Sequence, residues 1–456
     1  MNDQLRIGPP ADVTTAQSLL EITRRFGTPT YAFDLSKLQA QVEKLRTHLP
    51  AAIEILYSLK ANASLGICDA FAQLGLGADV ASAGELATAV EAGFEPDRIF
   101  VAGPFKSPET IARLREIPKA IVSVDSPSEL EALVNQNLRN RFVLRLRPDF
   151  GSSAVVAAGR ESRFGFTAED LLICRGFAAR LGADIIGFHV FAGSQVLNPA
   201  GVIEHLRGAF TLCQRSADVL GVTPTLLNLG GGFGIPYGPG DGELDLTLIG
   251  IELASLADRA MATRLVLELG RYLVAQSGWY LTSVLGRQTH QGRPAVVVDG
   301  GTHQRADLCG LCLKSKARPP IVLNAPPLDS TRTQGESDGQ LTPTDVLGCL
   351  SLPADVLAES SLLPRVEPGN VLAFPNAGAY GLWSSPALFH GCSLPAEVAF
   401  HGSTVQVMRE RQAAPSILGG QHHVSLAGTG RKPAATANDA TAIAPRFPRS
   451  GIPVSP

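Results

Sequence analysis

Lys60, at the end of an apolar segment, is the first residue of this sequence whose type and position could do chemistry. It follows the run IEILYSL (53–59), and strand interiors rarely accept an unpaired charge. At a strand end that forms an active-site floor, a partly desolvated lysine is expected to have a lowered pKa and to act as a Schiff-base nucleophile. The alternative is a lysine that extends from a strand edge to water, and the segment alone leaves both interpretations open.

Two further segments carry residues suited to a charged ligand. Gly230, Gly231 and Gly232 follow the run TLLNL, and consecutive glycines let backbone N–H groups converge on an anion such as a phosphate. Glu268 and Arg271 lie in the run RLVLELGR (264–271). A carboxylate beside a pyridine nitrogen would keep that nitrogen protonated and make the ring a strong electron sink. Each segment also has an ordinary interpretation, a plain turn for the glycines and a salt bridge for the charged pair.

These residues need a scaffold that brings strand ends together, and the sequence predicts one over residues 30–285. Nine short apolar runs, from TYAFDL (30–35) to LVLELG (265–270), alternate with helix-like stretches such as LGICDAFAQLG. Near-continuous apolar strands that alternate with helices indicate a parallel sheet covered on both faces. About eight such units favour a closed (β/α)8 TIM-type barrel, an α/β fold, over an open sheet.

The rest of the chain has a different pattern. Strand-like runs such as AVVVDGG and VLAFPNAGAYG are separated by Pro and Gly rather than by helices. This predicts a C-terminal, mainly β domain over residues 286–408, to which residues 1–29 are also assigned. The tail, 409–456, is rich in Ala, Pro, Gly, Thr and Ser and is predicted to be disordered.

Composition limits the classes of function. The chain has 456 residues, and its net charge of -3 gives no sign of a nucleic-acid partner or an anionic membrane. Neither a secretory signal nor a bilayer-spanning apolar stretch is evident. The seven cysteines are scattered and odd in number, which is typical of reduced thiols in a cytoplasmic protein. Cys309 and Cys312 lack a second pair that would complete a zinc site, so this pair is interpreted as structural.

Seven short motifs connect these segments to a known family. YSLKAN, LRLRPD, GFHVFAGSQ, LNLGGGFG, ELGR, VDGG and NAGAYG occur in this order between residues 30 and 398. In that order they resemble the alanine-racemase-like fold type III decarboxylases that depend on pyridoxal 5'-phosphate (PLP), a group that includes diaminopimelate, ornithine and arginine decarboxylases. The specificity lies in the set, since each motif alone is common. The resemblance implies PLP as cofactor and a homodimer with shared active sites.

The resemblance also implies roles for individual residues. Lys60 would hold PLP as a Schiff base, the glycines would hold its phosphate, and Glu268 would meet its pyridine nitrogen. Tyr380 would reach the cofactor from the partner subunit. The cofactor-binding set implied in this way is Lys60, Asp79, Arg145, His189, Phe191, Ser194, Gly230, Gly231, Gly232, Glu268, Gly270, Arg271 and Tyr380. The implied substrate-binding set is Arg271, Asp355 and Tyr380.

Phe191 departs from the family pattern, in which a histidine usually stacks on the cofactor ring. A phenylalanine can still stack, but it can neither donate a hydrogen bond nor titrate. His189 lies two residues earlier. Because a strand alternates its faces, the two side chains are expected to point the same way.

The proton-donating position departs as well. The family's cysteine lies in a G-x-x-C-x-x-x-D stretch, and the matching stretch from Gly348 to Asp355 has Ser351 at that position and Cys349 two residues upstream. Serine is a much weaker acid than cysteine. Either Ser351 or Cys349 is predicted to be the catalytic proton donor, and the alternative is that Cys349 is buried and inert.

The positions that recognise the far end of the substrate are not preserved. The acidic residue that usually follows the cysteine is Leu352 here, and the residues that grip the distal carboxylate in diaminopimelate decarboxylases fall near Asp307 and Leu311. Neither free diaminopimelate nor a simple basic amino acid is therefore favoured. The stretches NAGAYGLWSSPALFHGCSLPAEV and VAGPFKSPETI are instead similar to decarboxylases of siderophore and antibiotic pathways. Some of those act on an amino acid that is tethered to a carrier protein or built into a conjugate.

The expected activity is therefore PLP-dependent decarboxylation of an amino acid or amino-acid conjugate in specialised metabolism. One alternative is a racemase or epimerase on the same fold, which Glu268 disfavours because such racemases tend to place an arginine near the pyridine nitrogen. Another is a non-catalytic PLP-binding homologue. Lys60, Glu268 and Tyr380 disfavour that alternative, and Ser351 is its best support.

Overall fold

The structure is a computed structural model that describes residues 13–150, 156–157, 162–238, 240–309, 319–324, 341–419 and 421. No helix within these ranges is long and apolar enough to cross a membrane. Most of the tail predicted to be disordered lies outside the described residues. Its described beginning is folded, because Arg411 donates a hydrogen bond to the carbonyl of Phe26 (3.0 Å) and Gln412 forms a β-bridge with Leu394. The prediction is wrong for that part of the tail.

The helices follow the strands over most of the chain. The described α-helices are α1 Val13–Phe26, α2 Leu35–His48, α3 Leu65–Gln73, α4 Ala83–Glu91, α5 Pro108–Glu116, α6 Pro127–Asn135, α7 Ala168–Leu181, α8 Pro199–Leu220, α9 Leu246–Ala260 and α10 Arg271–Val274. Serine side chains cap three of them, since Ser82 accepts the N–H of Glu85, Ser107 that of Thr110 and Ser126 that of Glu129. Such caps satisfy free N–H groups of the first turn and let a helix start close to the end of a strand.

The strands form a barrel and a second, larger sheet. In chain order they are β1 Thr30–Asp34, β2 Ile53–Ser58, β3 Gly77–Val80, β4 Ile99–Val101, β5 Ile121–Val124, β6 Arg141–Leu146, β7 Val156–Ala157, β8 Ile185–Val190, β9 Gly193–Ser194, β10 Leu226–Gly231, β11 Arg264–Leu269, β12 Gly278–His290, β13 Arg293–Val298, β14 Ile321–Val322, β15 Thr342–Leu347, β16 Val356–Leu363, β17 Val371–Phe374, β18 Ala396–His401 and β19 Thr404–Arg409. The closed parallel barrel runs β2-β3-β4-β5-β6-β8-β10-β11 and returns to β2. The predicted TIM-type barrel is confirmed.

The inside of the barrel has two layers. The apolar layer is formed by Leu56, Phe100, Ile121, Val143, Leu226 and Val266. A strand returns to the same face every two residues. The positions two residues further along five of these strands are polar: Ser58, Ser123, Arg145, Asn228 and Glu268. A polar layer therefore covers the apolar one toward the C-terminal strand ends, where barrel enzymes build their active sites.

The second sheet lies in the mainly β part of the chain. Its main path is β16-β15-β13-β12-β1-β18-β19, with β17 paired to β12 and β14. Helix α1 packs on this sheet through Leu19 and Ile22, against Trp279 and Leu281. The mainly β second domain is confirmed, but β1 pairs with β12 and β18 rather than with a barrel strand.

The barrel boundaries predicted at residues 30 and 285 therefore differ from the structure, in which the barrel strands begin at Ile53 and end at Leu269. The run TYAFDL is buried along its whole length in the sheet it does join. A continuous apolar run shows that a strand is buried but not which sheet it enters.

Candidate active site

A cavity lies at the C-terminal ends of the barrel strands, next to the polar layer. The empty space within it, counted out to where it opens to solvent, is about 330 Å3. Its lining residues are Ser58, Lys60, Phe191, Ser194, Gly232, Phe233, Glu268, Leu269, Gly270, Arg271 and Tyr380. The structure thus brings together the lysine, the glycine turn, the carboxylate and the arginine that the sequence singled out.

Lys60 lies in a single helical turn directly after β2. Its Nζ is 3.7 Å from Oδ2 of Asp79 and 5.0 Å from the centre of the Phe191 ring. Burial lowers the pKa of Lys60, but the charges of Asp79, Tyr380 and Glu268 outweigh burial, and the pKa lies above its ordinary value. The expected lowering of this pKa is therefore wrong, because the acidic groups around the lysine stabilise its cationic form.

Asp79 is placed to exchange a proton with Lys60. Its side chain is buried, and burial together with the charge of Glu268 raises its pKa. A carboxylate of raised pKa beside an ammonium group can accept its proton when the lysine must react as a neutral amine.

Glu268 is held as a carboxylate in the polar layer. Its Oε1 accepts a hydrogen bond of 2.6 Å from Nδ2 of Asn228, and Nε2 of His189 lies 3.3 Å from the same oxygen. Burial alone would raise the pKa of Glu268, but the attraction of His189, Lys60 and Arg145 lowers it to about 2. Glu268 is therefore ionised at neutral pH and can stabilise a proton on a nearby ring nitrogen.

His189 connects Glu268 to the next strands of the barrel. Its Nδ1 lies 2.8 Å from Oγ of Ser123, and its Nε2 lies 3.3 Å from Oε1 of Glu268 without forming a hydrogen bond. The interaction between the two side chains is therefore best described as an electrostatic contact. Phe191 lines the cavity, while His189 lies beneath it and positions the carboxylate.

The glycine turn leaves no room for side chains. A Cβ atom on Gly230 would lie 2.4 Å from the Val190 carbonyl oxygen, and one on Gly232 would lie 2.2 Å from the Gly193 carbonyl oxygen. Both glycines have positive φ, +73° and +87°, a region that favours glycine. The turn is also held by the N–H of Gly230, which donates to Oδ1 of Asn228 at 3.0 Å. This geometry gives the backbone close access to a bound anion.

Arg271 places a buried cation beside the glycine turn. It donates a hydrogen bond from Nη1 to the hydroxyl of Tyr237 (2.9 Å), and its guanidinium lies 4.5 Å from the centre of the Tyr380 ring. Among the described residues it has no acidic partner within ion-pair distance, and its Nε has no hydrogen-bond partner. A buried guanidinium with a free N–H group is suited to a phosphate or a carboxylate.

Tyr380 belongs to the cavity of its own chain, so the expectation that it arrives from the partner subunit is wrong. Its N–H donates to the carbonyl of Ala61 at 2.7 Å, and Nδ2 of Asn62 donates to the carbonyl of Gly378 at 3.0 Å. These bonds tie the segment after β17 to the turn that carries Lys60. Because β17 pairs with β12 in the same chain, this segment reaches the chain's own barrel.

Arg145 lies in the polar layer but does not line the cavity. Its Nη1 is 3.6 Å from Oδ1 of Asp125, and its guanidinium lies 5.0 Å from the centre of the Phe164 ring. Its positive charge helps to lower the pKa of Glu268. Direct contact of Arg145 with a cofactor stays a prediction.

The loop expected to carry the proton donor does not line the cavity of its own chain. Ser351 and Cys349 are both exposed, so the alternative in which Cys349 is buried is wrong. The Cys349 residue is exposed, but its thiol is partly desolvated by the surrounding segments, and this raises its pKa to about 12. Asp355 is buried and accepts hydrogen bonds from the Thr302 N–H (2.7 Å), the Thr302 hydroxyl (2.8 Å) and the Leu350 N–H (2.8 Å). These bonds show that the carboxylate shapes the loop, and its role in substrate binding stays a prediction.

Sequence reasoning missed three residues that support the site. Asn228 is hydrogen-bonded to Glu268 and Ser123 to His189. The hydroxyl of Tyr237 accepts a hydrogen bond from Arg271. Strand alternation could have found the first two, since each lies two residues beyond an apolar residue of the barrel interior. Tyr237 lies in a loop after the glycine turn, and the sequence carries no periodic signal for it.

The cavity has the groups that PLP requires. Lys60 can hold its carbonyl carbon, the turn around Gly232 and the free N–H of Arg271 suit its phosphate, and Glu268 suits its ring nitrogen. Phe191 offers an apolar ring at the wall of the same cavity. The residues present therefore fit the cofactor that the resemblance implied.

Comparisons with known proteins agree with this chemistry. The family described as pyridoxal-dependent decarboxylase, pyridoxal binding domain, matches residues 35–275. The chain is 32% identical over 412 residues to the L-glutamyl-[BtrI acyl-carrier protein] decarboxylase of Niallia circulans, which covers 88% of this chain and 95% of that protein. It is 28% identical over 425 residues to the diaminopimelate decarboxylase of Methanothermobacter thermautotrophicus, covering 88% and 94%.

Solved structures show the same fold. Diaminopimelate decarboxylase from Helicobacter pylori, complexed with L-lysine, superposes with a TM-score of 0.76 at 24% identity and covers 88% of this chain and 98% of that one. The arginine decarboxylase of Paramecium bursaria Chlorella virus superposes with a TM-score of 0.70 at 19% identity, covering 85% and 100%. The family match and the sequence relatives establish that the chain belongs to the PLP-dependent decarboxylases and is an amino-acid decarboxylase of that family.

Proposed function

We propose that Lys60, Glu268 and Arg271 are the centre of the decarboxylation site. PLP, when bound, supplies a ring that withdraws the electron pair left behind as CO2 departs. Lys60 holds the cofactor, and Asp79 takes up and returns the lysine proton. Glu268, ionised because its pKa is about 2, holds a proton at the ring nitrogen. The observation that carries this proposal is that all three residues line one cavity beside the glycine turn.

The surrounding residues set the position of the reactants. The backbone at Gly232 and the guanidinium of Arg271 bind phosphate, and Phe191 packs on the face of the ring. Tyr380 is held in place by its N–H bond to Ala61 (2.7 Å) and its ring contact with Arg271. Glu268 lines the cavity but is buried, so its charge acts more strongly than it would in water.

The substrate is an amino acid whose far end is joined to a carrier protein or another conjugate. Leu352, at the position expected to recognise a distal amino group, is apolar and 42% exposed. Asp307 is buried, and its two oxygens accept hydrogen bonds from Arg305 at 2.8 and 3.1 Å. Leu311, the third position, lies outside the described residues. The first two positions thus offer no free charge for a distal carboxylate or ammonium, which agrees with the carrier-bound substrate named for the Niallia circulans relative.

The enzyme is a homodimer in which the loop of residues 349–354 enters the partner's cavity. Ser351 is exposed and does not line its own cavity. Large apolar side chains are exposed both next to Ser351 in sequence and in the segment before β18: Leu352, Trp383, Leu388 and Phe389. Exposed apolar groups of this size mark interaction surfaces when they are contiguous. In this arrangement, Ser351 or Cys349 donates the proton that replaces CO2.

Substrate specificity is tested with one amino acid in two forms. Purified, PLP-loaded protein is given free L-glutamate and L-glutamate linked through its side-chain carboxyl to the thiol of a carrier protein. CO2 release and the mass of the carrier are measured. We expect CO2 and a lighter carrier only with the tethered form. Turnover of free glutamate at an equal or greater rate would contradict a carrier-bound substrate while leaving the decarboxylase assignment intact.

A further inference from the structure

Three metal-binding side chains meet in the second domain, away from the cavity. One nitrogen of His303 and the sulfur atoms of Cys349 and Cys392 all lie within 4.8 Å of one another. The three residues come from separate segments, after β13, after β15 and before β18. None of them lines the PLP cavity.

His303 gives the strongest indication that this cluster binds a ligand. It is 1% exposed, and neither ring nitrogen has a hydrogen-bond partner among the described residues. A buried polar group without a partner is costly, about 1–3 kcal/mol, and therefore needs an explanation. A metal ion at this position would take up the lone pair of one ring nitrogen and so supply the missing partner.

The backbone holds all three segments in place. The Cys349 N–H donates to the carbonyl of Gly300 at 2.9 Å, which joins the loop to the turn that precedes His303. The same turn is tied by Asp355, which accepts hydrogen bonds from both Thr302 and Leu350.

The third segment is fixed next to the same turn. Nε2 of Gln304 donates to the carbonyl of Ser393 at 3.0 Å, and these two residues adjoin His303 and Cys392 in sequence. Gln304 itself accepts a hydrogen bond of 2.6 Å from the Tyr280 hydroxyl. Hydrogen bonds thus fix each of the three segments at, or next to, its metal-binding residue. The cluster is therefore a fixed arrangement and not a chance contact of flexible loops.

We propose that His303, Cys349 and Cys392 form a binding site for a divalent cation of the zinc type. Two sulfur ligands and one imidazole are a combination that zinc accepts, and three protein ligands leave a fourth position for water. Ligand atoms lie roughly 3.5–4 Å apart around a tetrahedral zinc ion. The exposed Cys349 can close the remaining gap by rotating its side chain. Binding converts both thiols to thiolates and releases their two protons to solvent, so the site has no net charge when filled.

The position of the site gives it a structural consequence. Cys349 begins the exposed loop, and Ser351 follows two residues later. A bound cation fixes the start of this loop to the body of the second domain. Cys349 is then a ligand, which leaves Ser351 as the proton-donating side chain of the loop.

The test measures metal content directly and does not depend on activity. Tag-free, PLP-loaded protein is prepared with Zn2+ and dialysed, and zinc per chain is measured by elemental analysis. We expect one equivalent in the wild type and background levels in Cys349→Ser and Cys392→Ser. Co2+ in place of Zn2+ should give the thiolate-to-cobalt absorption in the wild type and lose it in both variants. Cys213→Ala is the matched control, since it removes a buried thiol from helix α8 and should retain the metal.

Two results would overturn the proposal. One is a zinc content that does not depend on the two cysteines, either at background in the wild type or stoichiometric in both serine variants. The other is a disulfide between Cys349 and Cys392, found by mass spectrometry in protein purified under reducing conditions, because a disulfide removes both thiolate ligands. Since Cys349 is exposed, its serine variant is expected to fold, and a thermal melt equal to that of the metal-free wild type verifies this.

Discussion

The pKa of Glu268 results from a competition between burial, which raises it, and nearby positive groups, which lower it. Its carboxylate is 5% exposed, yet it remains ionised because Asn228, His189 and Lys60 surround it. The neutral isostere Glu268→Gln keeps the shape of the side chain and removes only the charge. We expect PLP to bind this variant, with kcat about 10²–10³ lower, as is typical when one electrostatic group is removed from an active site. Glu54→Gln, which changes a carboxylate paired to Arg264 on the barrel strands, is the control and should keep its activity.

The low pKa of Glu268 also predicts a pH dependence of stability. Its pKa is about 2 in the folded chain against an ordinary value of 4.5. A group with a lowered pKa stabilises the folded state above its unfolded pKa, and this contribution is lost as the pH falls through the folded pKa. The difference in free energy of unfolding between wild type and Glu268→Gln should be constant above about pH 5 and should narrow between about pH 4.5 and 2. Urea unfolding at a series of pH values measures it, and a difference that does not vary with pH would show that the carboxylate is not held ionised.

Individual site residues could be predicted from sequence only where a motif marks them. Lys60, Glu268 and the glycine turn each end an apolar run, so their positions at strand ends follow from the barrel. The raised pKa of Lys60 could not be predicted, because it results from Asp79 and Glu268, which come from different strands. Desolvation alone would lower the pKa of Lys60, and the neighbouring acidic groups reverse the direction of the shift.

At the scale of elements, the glycine turn after β10 is the most constrained segment of the site. Gly232→Ala places a Cβ atom 2.2 Å from the Gly193 carbonyl in a backbone of φ +87°. A non-glycine residue in such a conformation costs about 1–3 kcal/mol, so PLP affinity should fall by roughly 10- to 100-fold. Titration of the apoprotein with PLP, followed by absorbance, measures the change. Gly242→Ala is the matched control, since its Cβ would meet nothing within 4 Å. Equal PLP affinities for the two variants would contradict a role of the glycine turn in binding the phosphate.

The loop after β15 depends on Asp355 for its shape. Asp355→Ala removes the acceptor of three hydrogen bonds, and we expect a loss of about 2–4 kcal/mol in the free energy of unfolding. Asp258→Ala, a change on an exposed face of α9, should change stability by less than about 0.5 kcal/mol. Should Asp355→Ala instead leave stability unchanged and raise only KM, the carboxylate contacts substrate after all.

The elements themselves were largely predictable, and their partners less so. Alternating apolar runs and capped helices predict the barrel, because burial on both faces demands continuous apolar strands. The run TYAFDL fits that pattern equally well, yet β1 enters the second sheet. Sheet membership depends on pairing with β12 and β18, which lie far away in sequence, and local pattern carries no information about such pairings.

At the scale of the whole molecule, the proposed dimer predicts that two inactive subunits can restore one site. One subunit carries Lys60→Ala, and the other carries Cys349→Ala with Ser351→Ala. In mixed dimers one of the two sites has both an intact Lys60 and an intact partner loop, so random mixing should restore about a quarter of the wild-type activity. Two affinity tags and co-expression show whether mixed dimers form. Mixed dimers without any activity would place the loop in the site of its own chain.

Covalent attachment of PLP to Lys60 is the claim on which the whole account depends, and it can be measured directly. Borohydride reduction of the yellow holoenzyme fixes PLP to the amine that holds it, and peptide mapping then identifies the lysine. We expect the label on Lys60 and none in Lys60→Ala. The strongest rival is Lys106, whose buried Nζ lies 3.2 Å from Oε1 of Glu129 and whose pKa is lowered by burial. A label on Lys106 in the wild type would contradict the assignment of the site.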